Sequence, residues 1–171
     1  MVTEVCVEEM LLKCTQEVFE TMIFMDMSDS YDPAIHNLDT EECFLGMITF
    51  KGNIEGCLSI SCSSDCAKLI TINMLGMEPD EPVGDEEIFD AIGEVCNMIL
   101  GSMKASLQSL PLVIGISIPT VMKGCGIKQH LSEVSGQASV QTCLEDEHPL
   151  KVFLEWRLGI ELEKDETFIL G

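Results

Sequence analysis

Arginine is nearly missing from this chain. Arg157 stands alone, and with the lysines it makes 9 basic residues against 30 Asp plus Glu, a formal net charge of −21. Such a surface repels nucleic acid and anionic lipid. It also speaks against a self-contained site for free phosphate esters, which needs clustered arginines or a glycine-rich nest of backbone N–H groups. There is no C-x-x-C pair, and the nine cysteines are odd in number. The tightest group, Cys57, Cys62 and Cys66, is spaced unlike a zinc knuckle, and His36, His130 and His148 lie far from it in sequence. No bound metal is expected, and the thiols read as reduced, buried, small hydrophobes. No apolar run approaches the roughly 18 residues of a membrane span. The N-terminus, MVTEVCVEEMLL, is acidic where a secretory signal is basic. A cytoplasmic protein is the expectation.

What the chain does have is apolar content in periodic segments. Hydrophobic residues make up 46% of 171, enough for one domain, residues 1–171, burying about two thirds of its unfolded surface. Met10, Leu11, Cys14, Val18, Phe19, Met22 and Ile23 fall at spacings of three and four and mark a first helix. CFLGMITFKGNIEGCLSISC reads as two strands around a turn at Lys51, Gly52 and Asn53. SSDCAKLITINMLG has a Ser/Asp start and a Gly76 stop, which predicts a second helix. After the break MEPDEPVGD a long helix runs from near Glu86 to Leu107 or Gln108. PLVIGISIPTVMKG then reads as a strand ending at a proline, and GQASVQTCLE and LKVFLEWRLGIELE as two more joined through DEHP. Hairpin-like connections favour an α+β layer arrangement over a doubly wound parallel sheet.

The long helix carries the unusual residues. Wound at about 100° per residue, it brings Gly93, Glu94, Asn97 and Gly101 within about 60° of Asp90. Ile88, Ile92, Val95, Ile99 and Met103 lie opposite and complete an apolar stripe without them. Each interior glycine costs roughly 1 kcal/mol relative to alanine. Two of them beside Glu94 and Asn97 leave a flat, sparsely furnished face, suited to close approach by another protein's loop. An ordinary solvated face is the bland reading, and geometry alone leaves both open.

Spacing adds more. Asp90, three residues, Glu94, two residues, Asn97, twenty-one residues and Pro119 resemble the D-x3-E-x2-N-x21-P signature of the CheC, CheX and FliY family of response-regulator phosphatases. GEVCNMILG resembles that family's motif helix, ISIPTVMKG its following strand and proline, and FKGNIEGCLSIS its hairpin. The first helix, CTQEVFETMIFM, has no second Glu-x-x-Asn, so the likeness is to the single-motif, homodimeric CheX type.

The resemblance implies a CheC-like fold, helices layered on a mostly antiparallel, mixed sheet. It implies an aspartyl-phosphate substrate on a CheY-like receiver domain that brings its own Mg²⁺, so this chain needs no cofactor. It assigns Asn97 to orienting the attacking water and Glu94 to pairing with the receiver's lysine. Asp90, Gly93, Gly101 and Pro119 belong to the partner-binding set. A homodimer is expected by strand pairing, with LKVFLEW as the edge left open. A non-catalytic receiver-binding module is the alternative, and a metal protein using Asp90 and Glu94 has too few ligands.

Overall fold

The computed structural model describes residues 6–33, 38, 40–127, 129 and 131–159. Helix α1, Val7–Glu17, continues as wider π-helical turns over Val18–Ile23 and leads to a two-residue strand β1, Met27–Ser28. The hairpin β2, Glu42–Gly52, and β3, Ile54–Ser63, turns where the Gly-Asn signal lies. Helix α2, Ser64–Leu75, starts where the Ser63 hydroxyl accepts from Cys66 N–H at 3.2 Å. It stops at Gly76, which adopts φ 62°. Then come α3, Asp85–Ser106, and strands β4, Ile114–Ile116; β5, Thr120–Cys125; β6, Gly136–Leu144; and β7, His148–Leu158.

The strands form one sheet in the order β1-β6-β7-β3-β2-β4, with β5 also paired to β2, and every pairing among the described strands is antiparallel. The expected α+β layering is therefore observed. One face of the sheet carries the helices. Phe44, Ile48, Leu58, Ile60, Val152 and Leu154 point into it and are buried with the inward residues of α1, α2 and α3. Burying each such side chain contributes about 1.5–3 kcal/mol.

The opposite face is covered differently. The connection from β5 to β6 must cross β2, β3 and β7, and its described residues are tied down as it goes. Gln129 donates to Cys57 O and to a Glu155 oxygen, both at 3.1 Å, and Leu131 N–H donates to the same carboxylate oxygen at 3.0 Å. Arg157 donates to Ser132 O at 3.3 Å. This crossover is why Leu45, Ser59 and Glu155 are buried on a face that has no helix.

Two expectations need correction. LKVFLEW is not an open edge: β7 pairs with β3 on one side and β6 on the other. Leu150, Val152, Leu154 and Trp156 are buried as a central strand's residues are, and the long edge lies on β6, where β1 covers only Cys143 and Leu144. Nor does a strand end at Pro119. Ile116 pairs with Phe50 and Thr120 with Met47, so Ser117, Ile118 and Pro119 stand opposite only Thr49 and Ile48. One extra residue makes a β-bulge, a place that tolerates proline's missing N–H. The end of the expected strand LKVFLEWRLGIELE beyond Gly159, and His36 and His130, lie outside the described residues.

Candidate functional site

Helix α3 is fixed before its outer face is furnished. Glu87 reaches back to accept from Gly84 N–H at 2.6 Å, and Asp85, Glu86 and Glu87 fill the first turn, where the helix dipole favours negative charge. Ile88, Ile92, Val95, Cys96 and Ile99 are fully buried beneath it. The helix lies close on the sheet because β2 carries Gly46 there. A Cβ on Gly46 would stand 2.8 Å from both Cys96 Sγ and an Ile92 methyl, nearer than packed atoms approach. Burial also holds the Cys96 thiol well above its ordinary range. Cys62 is raised by its hydrogen bond with Cys66 and then by burial. All nine cysteines are unpaired as disulfides, and seven are buried.

Strand β5 clamps the helix from the side. Lys123 reaches Asp85 at 3.1 Å and Glu42 at 3.9 Å, and its ammonium lies 5.2 Å over the Phe44 ring. Phe44 in turn meets Phe89 edge-on at 5.7 Å. One turn before Asn97, Pro119 covers Gly93. A Cβ there would touch the proline ring at 3.4 Å and Val121 at 3.6 Å. Gly93 is therefore buried, a seat for the proline and not part of the open face expected from the helical wheel.

The rest of the set does share one outward face. Asp90 and Glu94 are exposed and Asn97 is half-buried. The Asn97 amide Nδ2 donates to Glu94 Oε2 at 3.3 Å. The Asp90 carboxylate makes no hydrogen bond or ion pair among the described residues. Gly101 is open: a Cβ there would meet nothing within 4 Å. The Glu94 and Asn97 pair offers an acceptor carboxylate and an amide side by side, with no group of three or more His, Cys, Asp or Glu among the described residues that could hold a metal. Such a pair suits binding a cation and positioning a water, and has no nucleophile of its own.

The bulge turns Ile118 out to solvent, a residue the sequence pattern does not single out. A proline inside a run of strand-forming residues was the available signal. Ser117 pins the bulge, its N–H donating to Thr49 O at 2.9 Å while its Oγ accepts from Thr49 N–H at 3.0 Å.

Known relatives are found both by sequence and by fold. The family described as chemotaxis phosphatase CheX matches residues 44–143, a stretch that contains Asp90, Glu94, Asn97 and Pro119. The CheY-P phosphatase CheX of Thermotoga maritima is 29% identical over 119 residues, 69% of this chain and 76% of that protein. Among solved structures, CheX of Desulfovibrio desulfuricans superposes with a TM-score of 0.68 at 21% identity, covering 89% of this chain and 98% of that one. The CheX–CheY–BeF₃–Mg²⁺ complex of Borrelia burgdorferi contains a chain similar at a TM-score of 0.62 and 20% identity, covering 87% and 96%. These two structural likenesses are of fold.

Proposed function

The chain belongs to the CheX family of chemotaxis phosphatases, and from that premise we propose that it hydrolyses the aspartyl phosphate of a CheY-like receiver domain. The observation that carries the reading is the Glu94 and Asn97 pair, joined at 3.3 Å on an outward helical face in a chain with one arginine. A site so poor in cations can serve phosphoryl transfer if the partner supplies them. Mg²⁺ accompanies CheY and BeF₃ in the Borrelia complex, which supports a metal brought by the receiver. We take residues 1–171 as one such domain.

In this mechanism Glu94 pairs with the receiver's lysine and sets the alignment of the two proteins. Drawing Glu94 away from Nδ2 releases the Asn97 amide to hold a water in line with phosphorus, a positioning role like that of glutamine in GTPases. The water oxygen bonds to phosphorus as the bond to the aspartyl oxygen breaks, giving inorganic phosphate and a free carboxylate. Gly101 leaves room for the partner's backbone, Asp90 stands at the far end of the contact, and Gly93 acts through the seating of Pro119.

The same reading includes a homodimer, moved from β7 to the outer edge of β6. Its nine residues, GQASVQTCL, contain no proline and no charge, the devices that usually guard an edge strand. A twofold pairing of like edges is the commonest closed assembly.

Timing phosphate loss from a phosphorylated CheY-like receiver tests the function. Asn97→Ala should fold and bind the receiver while losing about 10²–10³ of the rate enhancement, the scale of removing one preorganised polar group. A variant that keeps the rate would sink the mechanism. Wild-type protein that binds the receiver without hastening phosphate loss would replace it with the binding-module reading.

A further inference from the structure

Helix α3 carries five acids and one base, Lys104. Wound at about 100° and 1.5 Å per residue, it sets Lys104 within about 20° of Asn97 and about 10 Å beyond it along the axis. Gly101 lies between them, and a Cβ there would meet nothing within 4 Å. Lys104 is exposed, and with Gly101 and Ile114 it borders a hollow of about 290 Å³. Its ammonium makes no ion pair or hydrogen bond among the described residues, whereas Lys51, Lys123 and Arg157 are each held by a carboxylate of this chain.

The last turn of a helix favours a cation through its dipole. That accounts for a lysine in the turn, but any exposed position there would serve, and it does not account for a lysine in line with Asn97. The outward line of α3 runs from Asp90 and Glu94 through the Asn97 amide and the bare Gly101 to Lys104. Its charge passes from negative through neutral to positive.

We propose that Lys104 pairs with a carboxylate of the docked receiver and so fixes the receiver's register along α3. This rests on the function proposed above and adds the contact that orients the partner. A receiver that reaches Asn97 also covers Lys104: an interface of ordinary size takes about 800 Å² from each partner, a disc of about 16 Å radius, and Lys104 lies only about 10 Å away. The phosphoryl group stands opposite Asn97, so a different anion meets Lys104. The receiver has such anions to offer, because its phosphorylated residue is itself an aspartate and Mg²⁺ is held by oxygen ligands, carboxylates foremost. Opposite charges on the two sides of Asn97 also reject a slipped complex. Moved along α3 toward its C-terminus, the receiver's lysine would leave Glu94 and face Lys104.

The test uses Lys104→Ala, Lys104→Glu and Lys104→Arg in the whole chain. Binding is measured at low and high ionic strength to a CheY-like receiver loaded with beryllofluoride and Mg²⁺, and turnover on the phosphorylated receiver. At low salt Kd should rise about fivefold in Lys104→Ala and about tenfold or more in Lys104→Glu. Both ratios should shrink toward one near 1 M salt, where the screening length is about 3 Å. kcat should be retained, and Lys104→Arg should bind as wild type does. Among receivers with one exposed Asp or Glu beside the phosphorylation site changed to Lys, one should bind Lys104→Glu more tightly than it binds the wild-type chain. Unchanged Kd at low salt overturns the proposal, and so does a loss that is the same at every salt concentration, the mark of a merely structural role. Absence of any rescuing receiver variant overturns it too. Native Kd with loss of self-association in light scattering would assign Lys104 to contact between copies of this chain, again overturning it. The two readings fail separately: Asn97→Ala should lose kcat with native Kd, and wild-type protein that binds without hydrolysis removes the phosphatase but leaves Lys104 judged on Kd. Wild-type protein that binds no receiver overturns both.

Discussion

On its inward side α3 places Ile88, Ile92, Val95, Ile99 and Met103 against the sheet, all buried, while on its outward side the same 22 residues carry Asp90, Glu94, Asn97 and the bare Gly101. The inward residues are fixed by volume, since Gly46 leaves no room even for a methyl group. The outward ones are fixed by what they leave uncovered. One helix can thus be damaged in two separable ways, by losing the fold or by losing the encounter.

The largest effect on the fold is expected inside. Ile92→Ala removes a fully buried side chain packed against Gly46 and should destabilise the protein by about 2–5 kcal/mol. Urea titration measures this, and the fraction still folded should keep its activity. If activity falls while the midpoint holds, the separation of the two faces is wrong.

Gly101→Leu sharpens the comparison from outside. Leucine is the better helix former, so the variant should gain roughly 0.7 kcal/mol, while its side chain obstructs the partner and lowers the phosphatase rate. Thermal melting and turnover are read together. A stabilised variant with full activity would mark this face as merely solvated.

The smallest effect concerns buried thiols on the two sides of the sheet. Cys96 has a folded pKa raised above the ordinary 9.0 by burial. Cys57, on the opposite side of the sheet, is pushed up to about 11 by burial and by nearby Glu155. A raised folded pKa means that the native state holds the proton more tightly. The stability this supplies is complete below pH about 9 and is lost as pH rises toward the folded values. Tm should therefore decline above pH 9, and Cys96→Ala should decline less steeply from its own starting value.

Much of this arrangement was legible in the sequence. The inward stripe of α3 repeats every three or four residues, and its ends fall within a residue or two of those expected from its flanking signals. The β2–β3 hairpin turns at its Gly-Asn signal because turn chemistry is local. What escaped depended on residues far apart. Whether LKVFLEW is edge or centre is decided by β3, most of the chain away, and a short strand such as Met27–Ser28 exists only because Leu144 and Cys143 lie beside it. The bulge is a difference of one residue between two strands, visible only when both are aligned. The helical wheel grouped Gly93 with the open face because it cannot know that a proline from another strand lies on top.

The pairing of β3 with β7 has a consequence for how the chain folds. The β2–β3 hairpin and the first turns of α3 need only neighbours in sequence, but the middle of the sheet joins Ile54 to Leu158 and Cys62 to Leu150. Closing contacts across so long a loop is entropically uphill until the sheet begins to zip, which slows folding relative to a helical protein of this size. During synthesis the helix that carries Asn97 emerges well before the strand that completes the sheet beneath it. Until β7 arrives, β3 keeps one side without its final partner, and the nascent chain is most exposed to wrong pairing at the strand that later lies at its centre.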